Sequence, residues 1–294
     1  MRAVLGAAVV ALILAVAHAA PAASTATSVI VFSALPNGIG PTQLFRVDTT
    51  GAGLEQITTG SKPATAPAFS PDGTQIVFAR LGSGIFRVNL DGTGLHRLTS
   101  GTRDSYPVMS PDGKHIAFIR PYRAQWRIYV MPASGGGQRR LPHAPSAGRP
   151  SWTAKGTSII IPARGSLARI DPRTGNVQKF YAVTLDPTVG QGATVSPDGR
   201  NVAFVGSRPR TGPPACGASR CEAYGLYLGS VSASHPKRIV NDTGPAGWSP
   251  DGKTLVYVSR GALTLDAIGS GRTTTIASGT NVAAGDAPPA WQPR

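Results

Sequence analysis

The sequence predicts an all-β fold, a six-bladed β-propeller of four-stranded blades, and three observations support this prediction. The phrase Ser-Pro-Asp-Gly recurs along the chain at intervals of about one blade. The chain has 36 glycines and 26 prolines, which suits many tight turns. Glutamate occurs only at Glu55 and Glu222, and no stretch has the spacing of an amphipathic helix.

The Ser-Pro-Asp-Gly phrase marks one point in each repeat. With a degenerate copy at Thr153 included, successive copies begin 40, 43, 43 and 53 residues apart. Each unit holds apolar runs for four short strands, a period typical of a propeller blade. Proline fits the first corner of a type I turn and glycine supplies a positive φ, so the phrase predicts a hairpin rather than a catalytic site. The four intact copies are Ser70, Pro71, Asp72, Gly73, then Ser110, Pro111, Asp112, Gly113, then Ser196, Pro197, Asp198, Gly199, and Ser249, Pro250, Asp251, Gly252.

The two ends of the chain predict how the ring closes. Val29 to Phe32 match the second strand of later units, but the strand that should come before them is missing. Pro289 to Trp291 supply a spare innermost strand at the other end. We expect these two segments to pair, because pairing closes the ring and removes two exposed edges.

The first residues have the pattern of a secretory signal peptide. Arg2 precedes an apolar run from Ala3 to Ala17, and small residues follow it. We expect cleavage near Ala19 or Ala23, which divides the chain into a signal peptide at 1–23 and a propeller at 24–294. An uncleaved anchor is the alternative, although the apolar run is shorter than the ~20 residues of a membrane span. The mature chain is then exported by the general secretory route, without a transmembrane span, to the periplasm, the cell surface or the medium.

Few residues suit metal or redox chemistry. Cys216 and Cys221, the only cysteines, lie in the longest unit and in an oxidising compartment predict a disulfide clip, with a redox or metal role as the alternative. After the signal peptide, His96, His115, His143 and His235 remain, and no two have metal-ligand spacing. No Asp-rich calcium loop occurs. We therefore predict no metal and no cofactor.

The repeat resembles a known family. The pattern P-x-F-S-P-D-G-x-x-I-x-F, from Pro67 to Phe78, is similar to the repeat of TolB-like, WD-like propellers, and the likeness covers residues 28–294. The resemblance implies a six-bladed propeller exported across the inner membrane, with a docking function in TolB-like proteins. Related propellers precede hydrolase domains in some serine peptidases. This sequence has no G-x-S-x-G, so we do not expect a complete peptidase.

Charge gives the main indication of function, since the formal net charge is +15. Arginines recur at or near the end of the second strand of five units and should form a ring on one face. Arginine suits carboxylate and phosphate ligands because its planar fork donates two hydrogen bonds at once. The alternative is a generally basic, solvated surface. The candidate ligand-binding residues are Arg80, Arg103, Arg120, Tyr122, Arg123, Trp126, Arg149, Arg164, Arg208 and Arg260.

We therefore predict a non-enzymatic, exported binding or scaffold propeller of the cell envelope. Its partner would be an envelope protein or an anionic cell-surface polymer; nucleic acid is not expected to be a physiological partner of an exported protein. One alternative is a propeller enzyme, a lyase or hydrolase on a sugar or peptide, whose site is assembled in the central channel from several blades. Another is a propeller that holds a small ligand in that channel.

Overall fold

The computed structural model describes residues 28–123, 125–144, 148–163, 166–182, 193–206, 225–230, 236–241, 243–278, 282 and 288–293. The predicted signal peptide, Arg164, Arg208, Cys216, Cys221 and His235 lie outside these residues.

Six four-stranded antiparallel sheets make up the described part of the chain, which confirms the predicted six-bladed propeller. The first three blades contain β1 (Val29–Ala34), β2 (Gln43–Asp48), β3 (Glu55–Gln56), β4 (Ala64–Phe69), β5 (Gln75–Arg80), β6 (Gly84–Asn89), β7 (His96–Arg97), β8 (Ser105–Met109), β9 (His115–Tyr122), β10 (Gln125–Pro132) and β11 (Arg139–Arg140). The other three contain β12 (Ser151–Trp152), β13 (Ile159–Ala163), β14 (Ser166–Ile170), β15 (Val177–Ala182), β16 (Thr194–Val195), β17 (Asn201–Gly206), β18 (Gly225–Ser230), β19 (Lys237–Asn241), β20 (Gly247–Trp248), β21 (Thr254–Ser259), β22 (Ala262–Ala267) and β23 (Arg272–Ser278). A final strand, β24 (Ala290–Trp291), belongs to blade 1.

Within blades 2 to 6 the strands run in chain order from the central channel outwards. Among the described residues, the one helical segment is a short 3-10 turn at Pro36–Gly38. Across the same part of the chain, no helix has the length and hydropathy that a membrane crossing needs.

Blade 1 is completed by both ends of the chain, as the sequence predicts. In its sheet β24 is innermost and pairs with β1, with Ile30 opposite Trp291 and Val31 opposite Ala290. The backbone N–H of Gln292 donates to the carbonyl of Val29 at 2.8 Å. Gly247 of blade 6 is needed beside this strand, because a Cβ there would lie only 2.3 Å from the carbonyl oxygen of Pro289.

The hydrophobic core is divided among the interfaces between neighbouring blades. The buried clusters of the described residues each join two consecutive blades, and one of them joins blade 6 to blade 1. Eight residues beyond the first residue of each turn phrase stands a buried side chain at the centre of the second strand. These side chains are Phe78, Phe118, Ile161, Phe204 and Tyr257. In a propeller the apolar side chains are buried between radial sheets, so these five side chains lie at the centre of the core.

The Ser-Pro-Asp-Gly phrases lie in the hairpins between the first and second strands. In the copy at Ser70, the hydroxyl donates to Asp72 Oδ1 at 2.6 Å, and the backbone N–H of Thr74 donates to the same oxygen at 3.0 Å. Gly73 has a φ of 70°, a value that favours glycine. The same Ser-to-Asp hydrogen bond is found at Ser110, Ser196 and Ser249. All four phrases therefore point to one end of the ring, which we name the SPDG face.

Candidate binding surfaces: the arginine face and the central channel

The second strand of each blade runs away from the SPDG face, so the predicted arginines lie at the opposite end of the ring. We name this end the arginine face; it also holds the loops between blades. The described members of the predicted ring do not share one environment. Two are engaged in internal contacts, one is buried beside the central channel, and the others lie on the surface.

Arg80, at the end of β5, packs on the blade that carries it. Its guanidinium lies over the rings of Phe78 and Phe86, at 5.8 and 5.6 Å from their centroids. Nη2 donates a hydrogen bond to the carbonyl of Thr59 at 3.0 Å. Burial lowers the pKa of Arg80, and the contacts that fix its position are made within the propeller.

Arg120, at the equivalent place in blade 3, is paired with an acid. Its Nε donates to Asp104 Oδ1 at 2.6 Å, and its Nη2 donates to Asp104 Oδ2 at 2.8 Å. The guanidinium also lies over the rings of Phe118 and Tyr129. The hydrogen bond to Asp104 raises the pKa of Arg120. This bidentate pair occupies the fork that an external anion would need.

Blade 3 carries cations and aromatic rings on both faces of one extended hairpin, and we name this surface the blade-3 patch. Tyr122 lies opposite Gln125 and Trp126 lies opposite Pro121, so the two rings point to opposite sides of the sheet. Strands β9 and β10 have eight residues each, against five or six in the second and third strands of the other blades. Their hairpin therefore extends further, by about 3.3 Å for each added residue pair. The patch consists of Arg103, Tyr122, Arg123, Trp126 and Arg140.

Each arginine of the blade-3 patch stands over an aromatic ring. Arg103 lies 5.4 Å from the centroid of Trp126, and Arg123 and Arg140 lie 5.4 and 4.4 Å from that of Tyr122. Tyr122 is 38% exposed. Among the described residues, none of the three guanidinium groups has a hydrogen bond or an ion pair. Arg140 was not predicted from the sequence, although its place opposite Tyr129 follows from the register of β10 and β11.

Arg260 is held at the tip of a tight hairpin. It has a φ of 50°, and Gly261 has a φ of 73°, so both central residues of the turn are left-handed. Such a two-residue turn between β21 and β22 is a type I′ turn. Arg260 is exposed on the arginine face, away from the blade-3 patch.

The central channel is a cavity of about 420 Å³ lined by the inner strands of all six blades. The residue just before each turn phrase, or its equivalent, forms part of the wall. In chain order these residues are Phe69, Met109, Trp152, Val195, Trp248 and Trp291. Prolines of the turns surround the opening on the SPDG face. The channel wall is therefore largely apolar, with three tryptophans.

Arg149 lines this channel instead of standing on the arginine face. Arg149 comes two residues before β12, the inner strand of blade 4, and is only 3% exposed. Among the described residues, its Nε and Nη1 have no hydrogen-bond partner. Its guanidinium lies 5.8 Å from the ring centroid of Tyr106. Burial lowers the pKa of Arg149 to about 9.

The described residues that line the channel include no histidine and no carboxylate. His96, His115 and His143 are exposed, on strands or turns of blades 2 and 3. No group of three or more His, Cys, Asp or Glu among the described residues could hold a metal ion.

The chain is similar in sequence to a known protein. It is 28% identical over 219 residues to the uncharacterized peptidase YuxL of Bacillus subtilis strain 168, an alignment that covers 69% of this chain and 30% of YuxL. The chain thus spans about a third of the length of that relative.

Two solved structures share its fold. The crystal structure of TolB from Acinetobacter baumannii has a TM-score of 0.73 at 20% identity, with 91% of this chain and 67% of that chain covered. Hydrazine synthase of Kuenenia stuttgartiensis has a TM-score of 0.55 at 17% identity, with 77% of this chain and 70% of that chain covered.

The family comparison agrees with the repeat and the ring. The profile of PD40, the TolB beta propeller domain, matches residues 8–170, more than half of the chain. Together with the six four-stranded blades, this match shows that the chain belongs to the TolB beta propeller family.

Proposed function

We propose that this protein is a non-enzymatic binding propeller of the cell envelope, which holds a partner protein or an anionic cell-surface polymer on its arginine face. The observation that carries the proposal is the blade-3 patch. There, three arginines without a described hydrogen bond or ion pair lie over two aromatic rings on an extended hairpin. Export is inferred from the signal-peptide pattern of residues 1–23.

The geometry of the patch suits an anionic partner. An exposed cation over an aromatic ring gains about 0.5–1 kcal/mol, enough to orient a long side chain without enclosing it. The guanidinium groups of the patch have no described hydrogen bond or ion pair, so their N–H groups can donate to a carboxylate or phosphate. Arg80 and Arg120 cannot serve in the same way, because their hydrogen bonds are made within the propeller. The patch is thus a narrower candidate than a full ring of arginines.

Aromatic side chains add area to the charge of the patch. Tyrosine, tryptophan and arginine are the residues that most often carry binding energy at protein interfaces. Tyr122 is exposed and Trp126 is half-buried, so both can contribute contact area. The formal net charge of +15 would speed the approach of an acidic partner at low salt.

The proposal is tested by retention from envelope extract at graded salt. The mature chain, residues 24–294, is compared with a variant carrying Arg103→Ser, Arg123→Ser and Arg140→Ser. A matched control carries Lys114→Ser, Arg200→Ser and Lys253→Ser, which removes three exposed charges from turns of the SPDG face. We expect a partner that the wild type and the control retain and that the patch variant loses. Equal loss in both variants would mean that only net charge matters, and the proposal would then fail.

The second candidate is that the propeller serves an enzyme. The observation in its favour is the 28% identity to YuxL, which is named a peptidase. The described channel wall offers no histidine or carboxylate for that chemistry. Incubation of the purified mature chain with aminoacyl p-nitroanilides distinguishes the two. Release of p-nitroaniline that scales with protein concentration would favour the enzyme.

A further inference from the structure

Arg149 is a buried cation without a counter-charge among the described residues. Arg149 is 3% exposed, and its Nε and Nη1 have no hydrogen-bond partner among the described residues. Burying a charge without a partner costs several kcal/mol, so buried arginines are normally paired or fully hydrogen-bonded. Arg120 in the neighbouring blade follows that rule with Asp104, whereas the described contact of the Arg149 guanidinium is with the ring of Tyr106.

The channel beside Arg149 has room for a bound partner. No carboxylate is present among the described residues of its wall. The cavity of about 420 Å³ falls within the range of about 300–1,000 Å³ that is typical of small-molecule pockets. Arg149 lies at the end of the channel towards the arginine face, because it comes four residues before the turn of its blade. The opening with its prolines lies at the other end.

Trp291, which also lines the cavity, has a donor of its own that is unused among the described residues. The indole Nε1 of Trp152 donates to the carbonyl of Val108 at 3.2 Å, and that of Trp248 donates to the carbonyl of Thr194 at 3.0 Å. Each of these bonds joins one inner strand to that of the preceding blade. Trp291 occupies the same position in blade 1, yet its buried Nε1 has no acceptor among the described residues. Blade 1 faces blade 4 across a six-membered ring, so Trp291 and Arg149 lie on opposite sides of the channel.

We propose that the central channel binds a small organic carboxylate with an apolar, preferably aromatic, body. The carboxylate accepts hydrogen bonds from Arg149, and the apolar body lies between Trp152, Trp248 and the hydrophobic residues nearer the opening. A single guanidinium in an apolar wall fits a monoanion better than a phosphate, which carries more charge and needs more donors. The site is separate from the blade-3 patch, so it stands or fails independently of the proposed function.

The test uses defined probes with the folded mature chain. The probes are 3-phenylpropionate, indole-3-acetate and octanoate, each beside its neutral amide. Binding is followed by isothermal titration calorimetry and by tryptophan fluorescence, since three of the four tryptophans line the channel. We expect at least one carboxylate to bind with a Kd below about 1 mM, and its amide to bind at least tenfold more weakly.

Variants assign the binding to this site. Arg149→Met should weaken carboxylate binding at least tenfold and should leave the weak binding of the amide unchanged. Arg173→Met removes one exposed charge from the same blade and should bind like the wild type. Trp291→Phe replaces one channel tryptophan beside the apolar body with a smaller aromatic ring and should weaken the carboxylate and the amide alike.

Three results would overturn the proposal. The first is equal affinity for carboxylate and amide, and the second is wild-type affinity in folded Arg149→Met. The third is the absence of saturable binding of every probe up to about 10 mM. If Arg149→Met does not fold, as judged by circular dichroism, the comparison of carboxylate with amide and the Trp291→Phe variant still decide.

Discussion

The buried carboxylate of Asp104 accepts both arms of the Arg120 guanidinium, at 2.6 and 2.8 Å. The side chain of Asp104 is 0% exposed and that of Arg120 is 24% exposed. Asp104 also accepts a hydrogen bond from the hydroxyl of Thr99, which follows the outer strand of blade 2. One acid therefore connects the end of blade 2, the loop between the blades and the second strand of blade 3.

We expect Asp104→Ala to lower the free energy of unfolding by about 3–5 kcal/mol, because it leaves a partly buried guanidinium without its counter-charge. Urea denaturation followed by circular dichroism measures the change. The exposed pair of Arg46 and Glu55 is the control, and Glu55→Ala should cost only about 0–1 kcal/mol. Similar losses in the two variants would contradict the assigned role of Asp104.

The turn aspartates should make stability depend on acidity. Hydrogen bonds from the serine hydroxyls lower the pKa of Asp72, Asp112 and Asp198. A carboxyl whose folded pKa lies below its unfolded value of about 3.9 stabilises the fold above that value, and the contribution is lost as the pH falls through the folded pKa. Changing all three residues to asparagine should flatten the decline of Tm below about pH 4. An unchanged slope between pH 5 and pH 2.5 would contradict this assignment.

The degenerate turn of blade 4 offers a stabilising substitution. Thr153 keeps the hydroxyl contacts of the other turns, since the Ser158 N–H donates to its Oγ1 at 3.1 Å, and Gly156 keeps a φ of 67°. Lys155 stands where the other turns have aspartate. Lys155→Asp should gain about 0.5–1.5 kcal/mol, because the carboxylate can accept from the threonine hydroxyl and the following backbone N–H. Lys155→Glu changes the charge equally, but its longer side chain does not fit this turn, so it is the control.

Arg260 should be replaceable with a gain in stability. A left-handed φ of 50° is costly for a long side chain, whereas Asn-Gly is the preferred pair in a type I′ turn. We expect Arg260→Asn to raise the free energy of unfolding by about 0.5–1 kcal/mol. Arg173→Asn, a change of the same type in an exposed turn of blade 4, should not give this gain. Thermal unfolding of both variants checks the difference.

The repeat predicted the fold because every blade repeats the same local chemistry. The turn phrase fixes the first hairpin, the aromatic residue eight positions later fills the interface between blades, and the spare strand at Trp291 specifies the closure. Each of these signals is a short stretch of residues that are close together in the chain, so it can be recognised from the sequence alone. The degenerate copy at Thr153 also forms its hairpin, because the backbone keeps the same turn without the aspartate.

The arginine positions were harder to interpret because their recurrence has a structural cause. Arg80 and Arg120 each follow by two residues the buried aromatic of their strand, and residues two apart share one face of a sheet. Each guanidinium therefore covers that aromatic ring and one from the third strand. This contact could have been predicted from the two-residue spacing. The burial of Arg149 could not, because the same position in the described blades holds unrelated residues and its depth depends on the closed ring.

Because β24 completes blade 1, this blade can close only after β24 has been synthesised. The hydrogen bond between Val29 and Gln292 joins residues 263 positions apart. At a synthesis rate of about 5–20 residues per second, the inner edge of β1 waits roughly 13–50 s for its partner. An unpaired strand edge is a template for aggregation during that interval. Blade 1 is therefore the last to be completed and, for a newly made chain, the part most in need of protection.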